Sequence, residues 1–450
     1  MEQPERTTIA RETDRIYQAT ASDARRRALA AGCVGNLVEW YDFALYGAFA
    51  TLLAAAFFPG ADQAGGLLAT FAVFGVAFLA RPGGALLFAH YGDRQGRRRA
   101  LAATILLMAV VTAGIGLLPG YDSVGWLAPA LLVLLRAGQG VAVGGEYGGA
   151  VAFVVEYAPA DRRGWYGGWQ WATVGMGLAG GIATAALLSA TLDRSALRDW
   201  GWRLAFLLAL PLGLVGLYIR FRIEETPGFQ AVLRLGAAAR TPLADTLRTA
   251  RREVVVGFGI VAVVSATFNI VFVFLPSHLA TTGRAPLARA LATALVGLLV
   301  AASAAPIAGR LSDRVGRRPL LVAGVIALLV LTVPVTALLQ RGEPGSLLLG
   351  YTLIGLALGM LVPSTFLAEL FPTRLRYSGL SLTYGLASAL FGGTAPALAT
   401  FLVRRTGADL APAWYATALA AVAIACVLLA PETAGRALDA GSDLTSGARG

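Results

Sequence analysis

Five ionisable residues, Glu39, Asp42, Arg81, Arg136 and Glu146, lie inside runs that are otherwise apolar enough to cross a bilayer. Each costs roughly 2.5–3.5 kcal/mol at the centre of a membrane helix, so residues of this kind mark proton relays and substrate pathways by default. Glu39 and Asp42, in "GNLVEWYDFALYG", are three apart and share a helix face with Asn36 and Tyr46. On a helix rising 1.5 Å per residue from about residue 27, Glu39 stands roughly 18 Å and Asp42 roughly 22 Å into the membrane. Arg136 lies roughly 15 Å in from the opposite face, so all three sit near the middle of a ~30 Å core.

Two chemistries suit that arrangement. The acids could form an ion pair with Arg136 or Arg81 that only fixes helix packing, since an arginine among acids is cheaper to bury than any of them alone. Alternatively a carboxylate takes and gives a proton as the site opens to each side, and Arg136 offers its planar fork to an anionic substrate group. Two acids and one arginine suit proton exchange better than a balanced pair, which makes Asp42, Glu39 and Arg136 the proton-coupling candidates. Gln139 shares the face of Arg136, while the glycines of "RAGQGVAVGGEYGGA" permit close helix packing. Glu146, deep in that run, divides equally between site and packing roles. Trp165, Trp169 and Gln170 line a cavity or anchor the interface. Asn269 is a cavity candidate, and His278 an interfacial residue with a conceivable part in proton entry. The expected substrate contacts are thus Arg136, Gln139, Asn36, Tyr46, Trp169, Gln170, Asn269 and Glu146.

The elements that must position these residues follow from composition. The chain has 450 residues, 57% of them hydrophobic and 14% charged, with a mean hydropathy of +0.67. Those values indicate a membrane protein. All 37 basic residues are arginine, giving a net charge of +11. They sit in short loops between apolar runs, so nucleic-acid binding is not indicated. Cys33 and Cys426 lie far apart within apolar runs and suggest neither a disulfide framework nor a metal cluster. A ruler of about 20 apolar residues gives twelve spans near 28–57, 65–89, 100–118, 126–157, 165–190, 201–221, 253–279, 287–308, 319–339, 346–371, 378–403 and 412–430. With the N-terminus inside, 27 arginines fall on the inner side and 8 on the outer. That bias places both termini in the cytoplasm.

A repeat of 220 residues relates "GDRQGRRRAL" after span two to "SDRVGRRPLL" after span eight. "EYAPADRRG" after span four pairs with "ELFPTRLRYSG" after span ten, and "EETPGF" weakly with "PETAGR". The expected organisation is a cytoplasmic tail (1–27), a six-helix half (28–221), a basic cytoplasmic linker (222–252), a second six-helix half (253–431) and a short tail (432–450). Parallel halves of this kind place a substrate site near the midplane between them. Lipid phosphates would satisfy the loop arginines, but not Asp93 or Asp313, which are expected to pair with arginines or helix N-termini and hold one side shut. Pairs of Glu156 with Arg162 or Arg163, and of Glu369 with Arg374 or Arg376, would extend this closure. No phosphate-binding loop, paired cysteines or HExxH motif occurs, so nothing supports ATP-driven pumping or metalloprotease chemistry.

Over residues 25 to 435 the chain resembles the major facilitator superfamily, in its twelve spans, its duplicated loops and "RAGQG". More finely, through "GNLVEWYDFALYG", "FLARPGGALLFAHYGDRQGRR", "RAGQGVAVGGEYGGA", "EYAPADRRGWYGG", "EETPGF" and "ELFPTRLRYSG", it resembles the metabolite:proton symporters. That group includes carriers of citrate, α-ketoglutarate, shikimate, dicarboxylates and proline or betaine. The resemblance implies an all-α membrane fold in two pseudo-symmetric halves. It also implies gating-loop positions for Asp93 and Arg97, with Asp313 and Arg317, and a coupling position for Arg136; Arg94 and Arg314 are further gating-loop candidates. Two departures stand out: His278 occupies a place where the family often has an aromatic, and the stretch after Glu432 lacks the heptads of osmosensing members, which disfavours osmosensory betaine uptake. The expected protein is a monomeric inner-membrane importer of a small polar metabolite, more an organic acid than a sugar, driven by protons without a cofactor. The alternatives are a proton-antiport exporter of the same fold, a uniporter, a sensor and a membrane enzyme.

Overall fold

The computed structural model describes residues 3–60, 63–222, 225, 226, 230, 242–436 and 438. Most of the expected linker and tail, including Glu224 of "EETPGF", lie outside the described residues, as do the side chains of residues 3–24. Among the described residues there is no strand. Among the same residues eleven helices are long and apolar enough to cross a membrane, and a pair bent by 69° supplies a twelfth if it counts as one span. We label them α1 (Arg25–Ala48 with Ala50–Phe57), α2 (Leu68–Gln95), α3 (Arg97–Leu117), α4 (Leu127–Tyr157), α5 (Arg163–Thr191) and α6 (Arg194–Phe221). The remainder are α7 (Arg251–Thr281), α8 (Leu287–Val315), α9 (Arg317–Leu339), α10 (Pro344–Leu370), α11 (Thr373–Thr406) and α12 (Ala411–Leu429).

All twelve expected spans have counterparts, and several run beyond their apolar stretches. α2 and α8 carry on through Asp93 and Asp313 and stop only at Gly96 and Gly316. Hydropathy marks where a helix leaves the apolar core, whereas the backbone ladder ends where a residue adopts a non-helical φ. Gly96 (φ 111°) and Gly316 (φ 100°) do so in a region that side-chain-bearing residues avoid. The "DRxGRR" segments are therefore two helix ends joined by one glycine.

α1 packs on α5, α2 on α4, α3 on α4 and α6; α7 packs on α11, α8 on α10, and α9 on α10 and α12. Adding six to each label of the first set yields the second. The seams α2–α11 and α5–α8 exchange under the same shift. Close approach of α2 and α4 depends on glycine, because a Cβ at Gly140 or Gly144 would collide with the backbone oxygens of Ala77 and Arg81. This contact brings Arg81 beside α1. π-helical turns interrupt α7 at Asn269–Phe274 and α11 at Ser388–Gly393, a departure often found at functional sites.

Candidate functional site

Glu39 and Asp42 differ by roughly 60° around the α1 axis, enough to send them to different helices. Glu39 Oε1 accepts a bond from Arg81 Nη2 of α2 at 3.1 Å. Asp42 Oδ2 accepts one from Arg136 Nη1 of α4 at 2.8 Å. The expected sharing of one arginine by two acids is thus replaced by two separate pairs, all four side chains being buried.

The two pairs have different surroundings. Arg136 also donates to Gln139 Oε1 (2.6 Å), whose Nε2 donates to Thr112 Oγ1 (2.7 Å). Its guanidinium lies 4.1 Å from the ring centre of Tyr46 and 5.1 Å from that of Phe74, a cation–π enclosure that makes its remaining N–H groups tolerable. The Tyr46 hydroxyl is committed to the Thr70 carbonyl at 3.1 Å. Asp42–Arg136 is therefore a closed cluster among α1 to α4. Glu39–Arg81 instead faces α7 and α11. Arg81 lies 4.2 Å from the Phe78 ring centre, and Trp40 meets Phe268 of α7 edge-on at 5.5 Å. Tyr384 of α11, within electrostatic reach of both Arg81 and Glu39, stacks on Tyr147 of α4 at 3.6 Å. Buried polar atoms without a hydrogen-bond partner occur at both pairs: Asp42 Oδ1, Arg136 Nε and Arg136 Nη2 at one, and Arg81 Nε at the other, with Tyr147 OH on the ring that stacks against Tyr384. Unpaired polar atoms in a buried region are costly, and those at Arg81 and Tyr147 lie on the side where aromatic rings of α7 and α11 approach.

The other expected contacts scatter. Asn36 donates to Thr173 Oγ1 at 2.6 Å and to the Gln170 carbonyl at 3.3 Å, joining α1 to α5. Asn269 donates to the Ser265 carbonyl at 2.9 Å and lies beside Gly392. Glu146 is not brought to Arg81; it pairs with Arg220 and accepts from Thr104. Arg220 closes the end of α6 and, from sequence, counts among the loop arginines; its burial is decided by the glycine-lined space beside Glu146. Trp169 also departs from expectation. It is 37% exposed and lies on a lateral groove with Trp165 and Met176, because about 100° of helix rotation separates it from the inward face of Gln170. His278 stacks on Phe274 and lies 3.2 Å from Asp409, which also binds Arg284.

A second constellation occupies the arginine-rich end. Arg97 and Arg376 both engage Glu156, the latter at 2.5 Å, so Glu156 pairs across helices and not with Arg162 or Arg163. Arg317 engages Glu369 at 3.0 Å and Asp313 at 2.7 Å, in place of the expected Arg374 or Arg376. Arg163 lies 3.9 Å from Glu369, whereas Arg162 lies beside the exposed Asp161 and Arg94 beside His90. As expected, the aspartates meet helix N-termini: Asp93 accepts from Ser378 N at 2.8 Å, and Asp313 from Gly164 N and Trp165 N at 2.7 and 3.0 Å. The faint third echo is the most regular. Glu225 accepts from Arg98 N and Glu432 from Arg318 N, at 3.2 and 3.0 Å. Next to them, Thr226 donates to Glu156 and Thr433 to Glu369, at 2.5 and 2.9 Å. Burial pushes the Glu432 carboxyl up, but backbone N–H groups of Ala434, Arg317, Arg318 and Thr433 outweigh it and hold it below its ordinary value.

The Major Facilitator Superfamily model matches residues 32–376 and 265–443. The proline/betaine transporter of Escherichia coli (strain K12) is 36% identical over 424 residues, covering 92% of this chain and 85% of that protein. The citrate-proton symporter of Klebsiella pneumoniae is 35% identical over 406 residues, covering 88% and 90%. The solved structure of the proton:xylose symporter XylE bound to 6-bromo-6-deoxy-D-glucose superposes with a TM-score of 0.80 at 19% identity, over 94% of this chain and 99% of that one. Twelve spans, the duplicated glycine-joined loops and these matches over nearly the whole chain lead to one conclusion: the chain belongs to the Major Facilitator Superfamily, a family of transporters, and is a multi-pass protein of the inner (plasma) membrane.

Proposed function

We propose that the protein is a proton-coupled symporter that imports a small carboxylated metabolite, and that this substrate is a zwitterion. The observation that carries the reading is the Glu39–Arg81 pair, which faces α7 and α11 inside an aromatic enclosure while Asp42–Arg136 is sealed behind it. A substrate carboxylate competes with Glu39 for the Arg81 fork. A substrate ammonium then takes the freed Glu39 and the faces of Trp40 and Phe43. Protonation of Asp42 releases Arg136 from its acid, leaving the arginine held by Gln139 and the rings. The substrates in the relatives' names, proline/betaine transporter and citrate-proton symporter, all carry a carboxylate, and the second name states proton symport.

In this reading residues 28–221 and 253–431 form two halves that rock about the site, joined by the linker 222–252. The repeated packing pattern supports the halves, and the arginine bias supports cytoplasmic termini. Glu156–Arg376, Asp93–Ser378 and Asp313–Gly164 join helices of different halves and close the cytoplasmic side. The gradient alone drives the cycle, with no cofactor, and one chain suffices. The test is uptake by the purified full chain in proteoliposomes. Proline, glycine betaine and citrate would be offered with and without an inward proton gradient. Gradient-dependent accumulation of a zwitterion with external alkalinisation is expected. Equal uptake without a gradient would indicate a uniporter, and loss of preloaded substrate under the same gradient an exporter.

A further inference from the structure

Two cavities outside the ion-pair site meet at Trp165 and Arg310. The first, of about 550 Å³, runs along the α5–α8 seam between Trp165, Trp169 and Met176 on one side and Leu299, Pro306 and Ile307 on the other. It opens laterally: Trp169 is 37%, Met176 46% and Ile307 71% exposed. The second, of about 580 Å³, lies at the arginine-rich end and gathers Arg25, Arg26, Arg162, Arg310 and Arg314 with Asp161 and Asp313. Asp313 is already engaged by Arg317 and two backbone N–H groups. Asp161 is exposed beside Arg162. Five arginines face two aspartates in this lining, so among the described residues it carries net positive charge.

We infer that this bipartite groove binds one anionic phospholipid of the cytoplasmic leaflet, its phosphate among the arginines and an acyl chain along the α5–α8 seam. Length, charge and openness all fit that occupant. From Trp165 to Met176 on α5, and from Arg310 back to Leu299 on α8, the apolar part spans roughly 16 Å at 1.5 Å per residue. That is about one leaflet of a ~30 Å core. A free phosphate would satisfy the arginines but leave the apolar arm unused, and a zwitterionic lipid would bring its own cation into a cavity that has an excess of them. The seam under the groove holds the Asp313 contacts to Gly164 and Trp165, and Gly309 lies against Gly164 there. A lipid spanning α1, α5 and α8 therefore stabilises the state in which that end is closed. This inference depends on the membrane orientation proposed above but not on substrate or proton coupling.

The test uses tryptophan quenching in the intact chain, reconstituted in bilayers containing phosphatidylglycerol or phosphatidylcholine with identical brominated acyl chains. Stronger quenching by the brominated phosphatidylglycerol is expected, with the excess lost in Trp165→Phe/Trp169→Phe. Arg25→Gln and Arg310→Gln should each lower the preference about fivefold, the equivalent of the ~1 kcal/mol that a basic residue contributes near an anionic surface. Helical circular dichroism confirms that each variant is folded. Equal quenching by both lipids, an excess that survives the arginine substitutions, or displacement of the lipid by millimolar inorganic phosphate would each overturn the inference.

Discussion

Asp42 and Glu39 differ by less than one turn of helix and by their partners, and the difference separates two phenotypes. Asp42→Asn leaves Arg136 charged and buried without an acid, which costs about 3–5 kcal/mol where a buried pair is broken. Proton-driven accumulation is lost, exchange persists, and the thermal midpoint falls; Asp42→Asn/Arg136→Gln recovers much of that midpoint because no lone charge remains. Normal accumulation by Asp42→Asn would refute its coupling role. Arg81→Lys, by contrast, loses a planar fork at the proposed substrate contact. Its apparent KM for a carboxylated substrate rises about tenfold or more, as expected for a charge-assisted bond of about 1.5–3 kcal/mol, with little change in stability. The residue types and their common depth were readable from the sequence, because acids and arginines in apolar runs are few. Which acid meets which arginine was not, because a rotation of roughly 60° on α1 decides it. Trp169 and Gln170 make the same point: adjacent in sequence, they face a lateral groove and the interior respectively.

At the scale of elements, the two glycine joints were legible as a repeat but not as helix ends, since hydropathy does not report φ. Gly96→Ala or Gly316→Ala forces a side chain into the left-handed region against Glu225 or Glu432. The expected cost is about 1–2 kcal/mol, read as a lower thermal midpoint. The faint "EETPGF"/"PETAGR" echo turned out to carry acids that bind the starts of α3 and α9, a role hidden from sequence because the partners lie more than a hundred positions away. The depressed Glu432 titration has a defined sign. Its carboxylate adds stability above the ordinary glutamate value near 4.5 and loses that contribution as pH falls below it. Glu432→Gln should therefore flatten the acid limb of the stability profile between about pH 5 and 3, and an unchanged limb would show that another group controls it.

For the molecule as a whole, Glu156 joins Arg97 of α3 to Arg376 of α11. Glu156→Gln weakens both contacts at once, shifting the balance toward the state open at the arginine-rich end. A cysteine placed at the buried Ser381, in a background lacking Cys33 and Cys426, should then react at least about tenfold faster with a maleimide. Unchanged labelling would remove Glu156 from the closure. The twelve spans and their duplication were plain in the sequence because membrane helices must be long and apolar; that Asp93 and Asp313 meet helix N-termini was also legible, but that Glu156 pairs with Arg376 was not, because 220 positions separate them. One further consequence follows from the interior pairs Glu39–Arg81, Asp42–Arg136 and Glu146–Arg220. Three carboxylates offset three guanidiniums, so in the proposed symport cycle the empty carrier would reorient without moving net charge through the membrane field. A proton taken up with a zwitterion adds a single positive charge, worth about 2.3 kcal/mol per 100 mV across the full field. In that cycle an interior-negative potential would drive the loaded step inward and leave the return step indifferent to voltage.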